Sequence, residues 1–223
     1  MNRSTPATLG LLMLQTRFAR PLGDVGHAQT FAFPVRRLVV QGATPQSVVR
    51  GRDPAQLQLF VEAARQLVVQ GCCAISTSCG FLALWQRELQ AAVSVPVWTS
   101  SLLQLAELKG AQVGVITIEA ASLTAAHLQA VGADPATPVE GITAGSPLHQ
   151  TLLLDLPQLD PVDAQAQVLD AAARLRQRHP LIDTLVLECT NLPPYADALR
   201  AATGLTVLDV TTLLKGRMAR LLT

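Results

Sequence analysis

The alternation of apolar and polar residues predicts strands that are separated by helices. Short apolar runs, such as 8–14 and 72–77, are typical of buried strands, whereas longer stretches repeat apolar residues every three or four positions. Strands are predicted near 8–14, 72–77, 95–99, 112–118, 183–188 and 205–209. Helices are predicted near 54–69, 81–92, 101–109, 122–131, 161–178, 194–202 and 212–222. This order predicts βαβ units with parallel strands.

The pattern of the first half recurs in the second half. The segment Ala7–Leu14 reads ATLGLLML, and Ala111–Ile118, 104 positions later, reads AQVGVITI. Asp53 and Asp160 each precede a proline and begin a helix, as an N-cap residue with proline at the first helical position does. This repeat predicts an α/β fold with two pseudo-symmetric Rossmann-like lobes, each with a parallel sheet, and a cleft between them.

The repeat also predicts the domain boundaries. Residues 1–105 are expected to form the first lobe and residues 106–209 the second. The C-terminal helix, within 210–223, is expected to cross back and complete the first lobe.

Two long stretches break the pattern, 15–52 and 132–160. Loops of this length in a compact domain are usually functional, or they contain short strands. We expect an irregular lid from the first stretch, with Val35–Val40 as an edge strand.

Charge and composition exclude several classes of function. The 17 basic and 16 acidic residues give a net charge of +1 and are scattered along the chain, so we expect no nucleic-acid partner. The apolar runs are far shorter than the roughly 20 residues that span a bilayer, so we expect a cytoplasmic protein without membrane contact. The sequence contains no glycine-rich phosphate-binding motif, so we expect a small-molecule substrate and no nucleotide cofactor.

Two of the four cysteines occupy equivalent positions in the repeat. Cys79 and Cys189 lie 110 positions apart, and each follows a predicted strand and precedes a predicted helix. Ligands bind at this end of parallel sheets, and the backbone N–H groups at the start of a helix favour a thiolate. Cys72 and Cys73 lie within a strand and are expected to be core residues.

Facing thiols at the ends of two lobes predict acid–base chemistry. One thiolate can remove a proton from one face of a stereocentre while the opposite thiol protonates the other face. Ser78, Gly80, Thr190 and Asn191 flank the cysteines and can supply hydroxyl, amide and N–H groups to developing negative charge. A structural role fits these last two residues as well as a functional one: Thr190 is compatible with a helix cap, and Asn191 with a turn. His27, in the first long loop, is a further candidate.

At these residues the chain resembles the aspartate/glutamate racemase superfamily over nearly its whole length. The resemblance is carried by the segments Ser76–Leu82, Val95–Ser101, Lys109–Thr117 and Leu187–Tyr195. It implies a site between two lobes, no pyridoxal phosphate, no metal, and Cys79 and Cys189 as the two catalytic bases. It also implies that residues after the first strand of each lobe bind the substrate, namely Gln15, Thr16, Arg17 and Thr117. Glutamate racemases of this family carry an Asp-Ser pair after the first strand, so the resemblance does not extend to glutamate specificity.

Three functions are compatible with these residues. The paired cysteines favour a cofactor-independent racemase or epimerase of an acidic amino acid or a related carboxylate, an isomerase of amino acid metabolism. The alternatives are an enzyme similar to maleate isomerase or the decarboxylases, which uses one cysteine, and a non-catalytic carboxylate-binding protein. A homodimer is compatible with each of them.

Overall fold

The computed structural model describes residues 7–51 and 53–221. Three parts of the sequence predictions lie outside the described residues. They are the outer ends of the predicted segments 1–105 and 210–223, the last residue of the predicted helix 212–222, and position 52 in the first long stretch.

Two four-stranded parallel sheets form the framework of the described part of the chain. The first sheet contains β1 (Thr8–Leu14), β2 (Val35–Val40), β3 (Cys72–Thr77) and β4 (Val97–Trp98), in the order β2-β1-β3-β4. The second contains β5 (Val113–Thr117), β6 (Val139–Gly141), β7 (Thr184–Leu187) and β8 (Thr206–Leu208), in the order β6-β5-β7-β8. The two orders are equivalent, which confirms the predicted pair of Rossmann-like lobes.

Helices cover the sheets. They are α1 (Pro54–Val69), α2 (Gln86–Ala92), α3 (Ala125–Ala130), α4 (Pro147–Leu153), α5 (Pro161–Arg178), α6 (Ala196–Thr203) and α7 (Val210–Leu221). The carboxylates of Asp53 and Asp160 accept hydrogen bonds from backbone N–H groups at the starts of α1 and α5, as the sequence predicted for N-cap residues.

Three predicted helices are wholly or partly 3₁₀ helices. The segment predicted at 81–92 begins as a 3₁₀ helix over Gly80–Trp85, and the one predicted at 101–109 is a 3₁₀ helix over Ser101–Glu107. The segment predicted at 194–202 begins with a 3₁₀ turn over Pro193–Tyr195. Such short turns follow strands at the cleft, where the chain changes direction within a few residues.

The two long stretches contain more structure than the sequence predicted. Val35–Val40 is the edge strand of the first sheet, as expected, and a π-helical turn follows at Gln46–Gly51. The stretch 132–160 contains the three-residue strand β6 and the seven-residue helix α4. Elements this short do not establish a recognisable period in the sequence.

The last helix packs against the first sheet. A separate buried cluster joins four side chains of α7 to residues of β1, β3 and β4: Val210, Leu213, Leu214 and Met218 with Leu9, Leu11, Met13, Ala74 and Trp98. The division into domains at 105 and 209 stays a prediction. In the described part of the chain, the search for a helix long and apolar enough to cross a bilayer found no candidate.

This packing predicts that a substitution in α7 lowers the stability of the protein and the protection of β1. Met218 is 1% exposed, so Met218→Ala should lower the free energy of unfolding by about 2–5 kcal/mol. Chemical denaturation measures the loss, and hydrogen exchange should show the loss of protection in β1. Leu181→Ala, at a side chain that is 78% exposed, is the control and should change stability by less than about 0.5 kcal/mol. Unchanged exchange in β1 would show that α7 does not support the first sheet.

Candidate active site

A partly open cavity lies where the carboxyl ends of the two sheets meet. Cys79 follows β3 by two residues and Cys189 follows β7 by two residues, and both line this cavity. The atom-free space among the lining residues, which includes space open to solvent, is ≈ 390 Å³. The other residues that line it are Leu14, Thr16, Phe18, Arg20, Pro45, Val49, Ser78, Gly80, Phe81, Ile118, Leu152, Leu153, Glu188, Thr190 and Asn191.

Cys79 is the N-cap residue of the 3₁₀ helix over Gly80–Trp85. The backbone N–H groups of Phe81 and Leu82 face its sulfur and favour the thiolate. Its neighbour Ser78 joins the lobes, because the Ser78 carbonyl accepts a hydrogen bond of 2.6 Å from the Thr190 hydroxyl. The cysteine is therefore held by the contact between the two strand ends.

A chain of hydrogen bonds orients the second cysteine. The Cys189 Sγ donates to Asn191 Oδ1 at 3.6 Å, and Asn191 Nδ2 donates to Asp24 Oδ2 at 2.7 Å. Asp24 in turn accepts from Arg20 Nη1 at 2.8 Å, and Arg20 Nη2 donates to the Thr16 hydroxyl at 2.9 Å. Because Asp24 takes the amide N–H of Asn191, the amide oxygen is left to accept the thiol proton of Cys189.

Burial disfavours the thiolate at both cysteines, contrary to the expectation from their positions before helices. Burial, followed by the nearby Glu188 carboxylate, raises the pKa of the Cys79 thiol to about 12. The same two causes raise the pKa of the Cys189 thiol well above its usual range. The N–H donors that the sequence predicted are present, but loss of hydration on burial outweighs them.

Glu188 is the most informative residue that sequence reasoning missed. Its side chain is fully buried in the cavity wall, and its Oε2 accepts a hydrogen bond of 2.6 Å from the Thr117 hydroxyl. Its Oε1 has no hydrogen-bond partner among the described residues. Burial raises the pKa of this carboxyl to about 7, and the hydrogen bond from Thr117 opposes the shift. A glutamate directly before a strand-end cysteine was the available signal.

Only glycine fits at position 80, where the chain passes close to Glu188. A Cβ atom at this position would collide with the backbone carbonyl of Glu188 and with its Oε1. Because one of these atoms belongs to the backbone, no side-chain movement relieves the clash. The glycine therefore lets the two strand ends approach each other.

The structure brings together the predicted residues that flank the cysteines. Ser78, Gly80, Thr190 and Asn191 all line the cavity, and so does Thr16. Their contribution to substrate binding stays a prediction.

Gln15, Arg17, Thr117 and His27 do not line the cavity. Gln15 accepts a hydrogen bond from the Gly42 N–H at the surface, and Thr117 is turned toward Glu188. Arg17 is exposed and pairs with a residue of the other lobe, as described below. The His27 ring accepts from the Gln29 N–H within its own loop. Arg20, four residues beyond Thr16, lines the cavity and was not among the predicted site residues.

Two ion pairs link the first-lobe loops to the second lobe beside the cavity. Asp155 Oδ1 accepts hydrogen bonds from the backbone N–H groups of Arg17 and Phe18, and Arg17 Nε donates to Asp155 Oδ2 at 3.2 Å. Asp155 adopts a left-handed backbone with φ of 55° to make these contacts. Arg50, in the π-helical turn, pairs with Glu119. These pairs tie the first long stretch to the second lobe, and its role as a lid stays a prediction.

Comparison with known proteins finds relatives along nearly the whole chain. The chain is 28% identical over 225 residues to a dimethylsulfoniopropionate lyase of Durusdinium sp. clade D, covering 91% of the chain and 71% of the relative. It is 31% identical over 229 residues to dimethylsulfoniopropionate lyase 3 of Emiliania huxleyi (strain CCMP1516), covering 96% of the chain. The chain spans 60% of the length of that second relative. No protein-family model matches the chain.

Solved structures with the same fold include decarboxylases and racemases. An arylmalonate decarboxylase variant superposes with a TM-score of 0.66 at 18% identity, over 96% of this chain and 92% of that one. An aspartate racemase homologue from Pyrococcus horikoshii OT3 gives 0.57 at 13% identity, over 96% and 98%. Glutamate racemase from Thermus thermophilus gives 0.57 at 21% identity, over 97% and 80%.

These comparisons confirm the fold and correct the predicted activity. The chain has the fold of the aspartate/glutamate racemase superfamily. The prediction of an amino-acid racemase, an isomerase of amino acid metabolism, is wrong, because the curated relatives are named as lyases. The comparisons support a related cysteine-dependent enzyme, closer to the one-cysteine alternative than to a racemase of acidic amino acids.

The buried Glu188 predicts a stability difference that depends on pH. Its pKa is about 7 in the fold against 4.5 for an ordinary glutamate, so between these values the unfolded chain loses a proton that the fold retains. Stability is therefore lost as pH rises from about 4.5 to about 7. Glu188→Gln should be more stable than the wild type by roughly 3 kcal/mol at pH 8 and equally stable at pH 4.

Urea denaturation at the two pH values measures this difference. Glu140→Gln is the matched control, since Glu140 is buried outside the cavity wall and pairs with Arg174 and Arg178. That variant should lose stability at pH 8, because it leaves its arginines without their partner. A Glu188→Gln variant that is less stable at pH 8 would show that the carboxylate is compensated in the fold.

Proposed function

We propose that this chain is a cysteine-dependent lyase that cleaves dimethylsulfoniopropionate, or a closely similar β-substituted propionate, by elimination. The observation that carries the proposal is the similarity to dimethylsulfoniopropionate lyases over 91% and 96% of the chain. The cavity between the strand ends, which is lined by two thiols and an arginine, supports it.

Elimination from this substrate requires one base and no protonation of carbon. A thiolate takes a proton from the carbon beside the carboxylate, and the electrons of that C–H bond form the new C=C bond. The bond between the β-carbon and sulfur breaks, and sulfur keeps its electron pair. The products are acrylate, dimethyl sulfide and a protonated thiol. Because dimethyl sulfide leaves as a neutral molecule, the leaving group needs no acid.

Cys79 is the base in this proposal. The N–H groups of Phe81 and Leu82 and the positive charge of Arg20 favour its thiolate. Cys189 receives one backbone N–H, from Asn191, and its own proton is donated to Asn191 Oδ1, an arrangement that favours the thiol. The two cysteines therefore differ in the number of groups that favour a thiolate, although they occupy equivalent places in the repeat.

Negative charge develops on the substrate carboxylate as the proton leaves. Arg20 lines the cavity beside the hydroxyl of Thr16 and is held in place by Asp24. A fixed cation at this point stabilises the carboxylate and the charge that delocalises onto it. Arg20 is thus the residue of this chain best suited to fix the substrate.

Substitution of each cysteine tests the assignment. Cys79→Ser should lower the formation of dimethyl sulfide and acrylate by at least about a hundredfold, because serine is a much weaker base. Cys189→Ser should retain more activity than Cys79→Ser. Headspace gas chromatography measures dimethyl sulfide, and NMR measures acrylate. Cys73→Ser, at a cysteine outside the cavity wall, is the matched control and should have wild-type activity.

The opposite ranking of the two variants would transfer the role of the base to Cys189. Wild-type protein that releases no dimethyl sulfide would contradict the proposed function. An arylmalonate serves as the comparison substrate, and carbon dioxide release from it alone would identify a decarboxylase.

The pH dependence of the reaction follows from the raised thiol pKa. Below a pKa of about 12 for Cys79, the thiolate fraction rises about tenfold for each pH unit. Between pH 7 and pH 10, the logarithm of kcat/KM should therefore rise by about one for each pH unit. A plateau beginning near pH 8 would show that the base in the free enzyme has an ordinary pKa.

A further inference from the structure

We propose that Glu188 is the residue that selects substrates with a cationic β-substituent, because its buried carboxylate gives the cavity wall a negative charge that no other lining side chain neutralises. The inference rests on the proposed function for the identity of the natural substrate. Its physical basis is the set of charged side chains that line the cavity.

The cavity wall carries one acid that no cation neutralises. Among the described residues that line the cavity, the acidic and basic side chains are Arg20 and Glu188. Arg20 is paired with Asp24 at 2.8 Å, and both are buried or nearly so. Glu188 has only the Thr117 hydroxyl on Oε2, and its Oε1 has no partner among the described residues.

These charges favour one class of carboxylate ligand over another. An ionised Glu188 beside the neutral Arg20–Asp24 pair gives the wall a net negative charge, which disfavours a dicarboxylate. A propionate with a sulfonium or ammonium group carries its own compensating cation. Burying an unpaired carboxylate is costly, and a ligand cation removes that cost.

The lining of the cavity fits the same occupant. Phe81 and Phe18 line the cavity with Glu188, and the Phe18 ring already carries the Arg20 guanidinium at 4.7 Å from its centroid. Aromatic rings attract methylated onium groups, which offer diffuse positive charge and few hydrogen-bond donors. A trimethylammonium or dimethylsulfonium group therefore matches a wall that combines the Phe81 ring with one carboxylate.

Binding of a cation at Glu188 would also affect the base. The Glu188 charge acts on both cysteines and disfavours their thiolates. A sulfonium group that neutralises it removes this opposition when the substrate is in place. An uncharged ligand of the same shape leaves the thiol protonated.

Two unreactive probes of the same shape test the proposal by calorimetry on the purified full chain. The cationic probe is 3-(trimethylammonio)propanoate, whose β-substituent carries a positive charge. The second probe is 4,4-dimethylpentanoate, a carboxylate anion in which an uncharged carbon replaces the nitrogen. At pH 8 the wild type should bind the cationic probe more tightly, by on the order of tenfold or more. Glu188→Gln should lose this preference, whereas Glu188→Asp should retain part of it.

The matched control is Glu140→Gln, which alters a buried carboxylate outside the cavity wall and should keep the wild-type preference. Equal affinity for both probes in the wild type, a preference that survives in Glu188→Gln, or binding of neither probe would overturn the proposal. The measurement does not depend on turnover. A wild type that prefers the cationic probe but releases no dimethyl sulfide would contradict the lyase assignment and leave the role of Glu188 intact.

Discussion

The close approach of the two strand ends is the constraint on which the site depends. The segment after β3 lies directly on the segment after β7, with Gly80 against the backbone carbonyl of Glu188. Hydrogen bonds of 2.6 Å join Thr190 to Ser78 and Ser101 to the Leu187 carbonyl across the same junction. This contact brings the two cysteines to one cavity, removes water from them and buries a carboxylate between them. The same contact that unites the lobes therefore raises the pKa of Glu188 and of both thiols.

The fold was predictable because the same order of strands and helices occurs in both halves of the sequence, and because the longer elements have regular apolar periods. The strands β1 and β3 and the helices α1 and α5 have clear periods and capping residues, and the structure contains them at the predicted positions. The short elements β6 and α4 were not predictable, since three or seven residues do not establish a period. Similarly, the position of Arg20 depends on the path of an irregular loop.

The cysteines were predictable as a pair, but their electrostatic state and the reaction were not. A strand-end cysteine before a helix suggests a thiolate, yet the outcome depends on burial and on Glu188, which lies next to Cys189 in the sequence and also near Cys79 in space. Racemisation and elimination both begin with removal of a proton beside a carboxylate. They differ in what leaves the neighbouring carbon, which the cysteine motifs do not encode. The comparisons supplied the distinction between the two reactions.

The two ion pairs beside the cavity have a consequence for the contact between the lobes. Arg17 and Arg50 belong to loops of the first lobe, and their partners Asp155 and Glu119 belong to the second, so separation of the lobes at this edge breaks both pairs. The arginine side chains are 76% and 42% exposed, and partly exposed pairs contribute about 1 kcal/mol or less. Dissolved ions weaken such attractions within a Debye length of about 10 Å at 0.1 M salt. The strength of this part of the contact is thus coupled to the ionic strength of the surroundings, whereas the buried hydrogen bond from Thr190 to Ser78 is shielded from those ions.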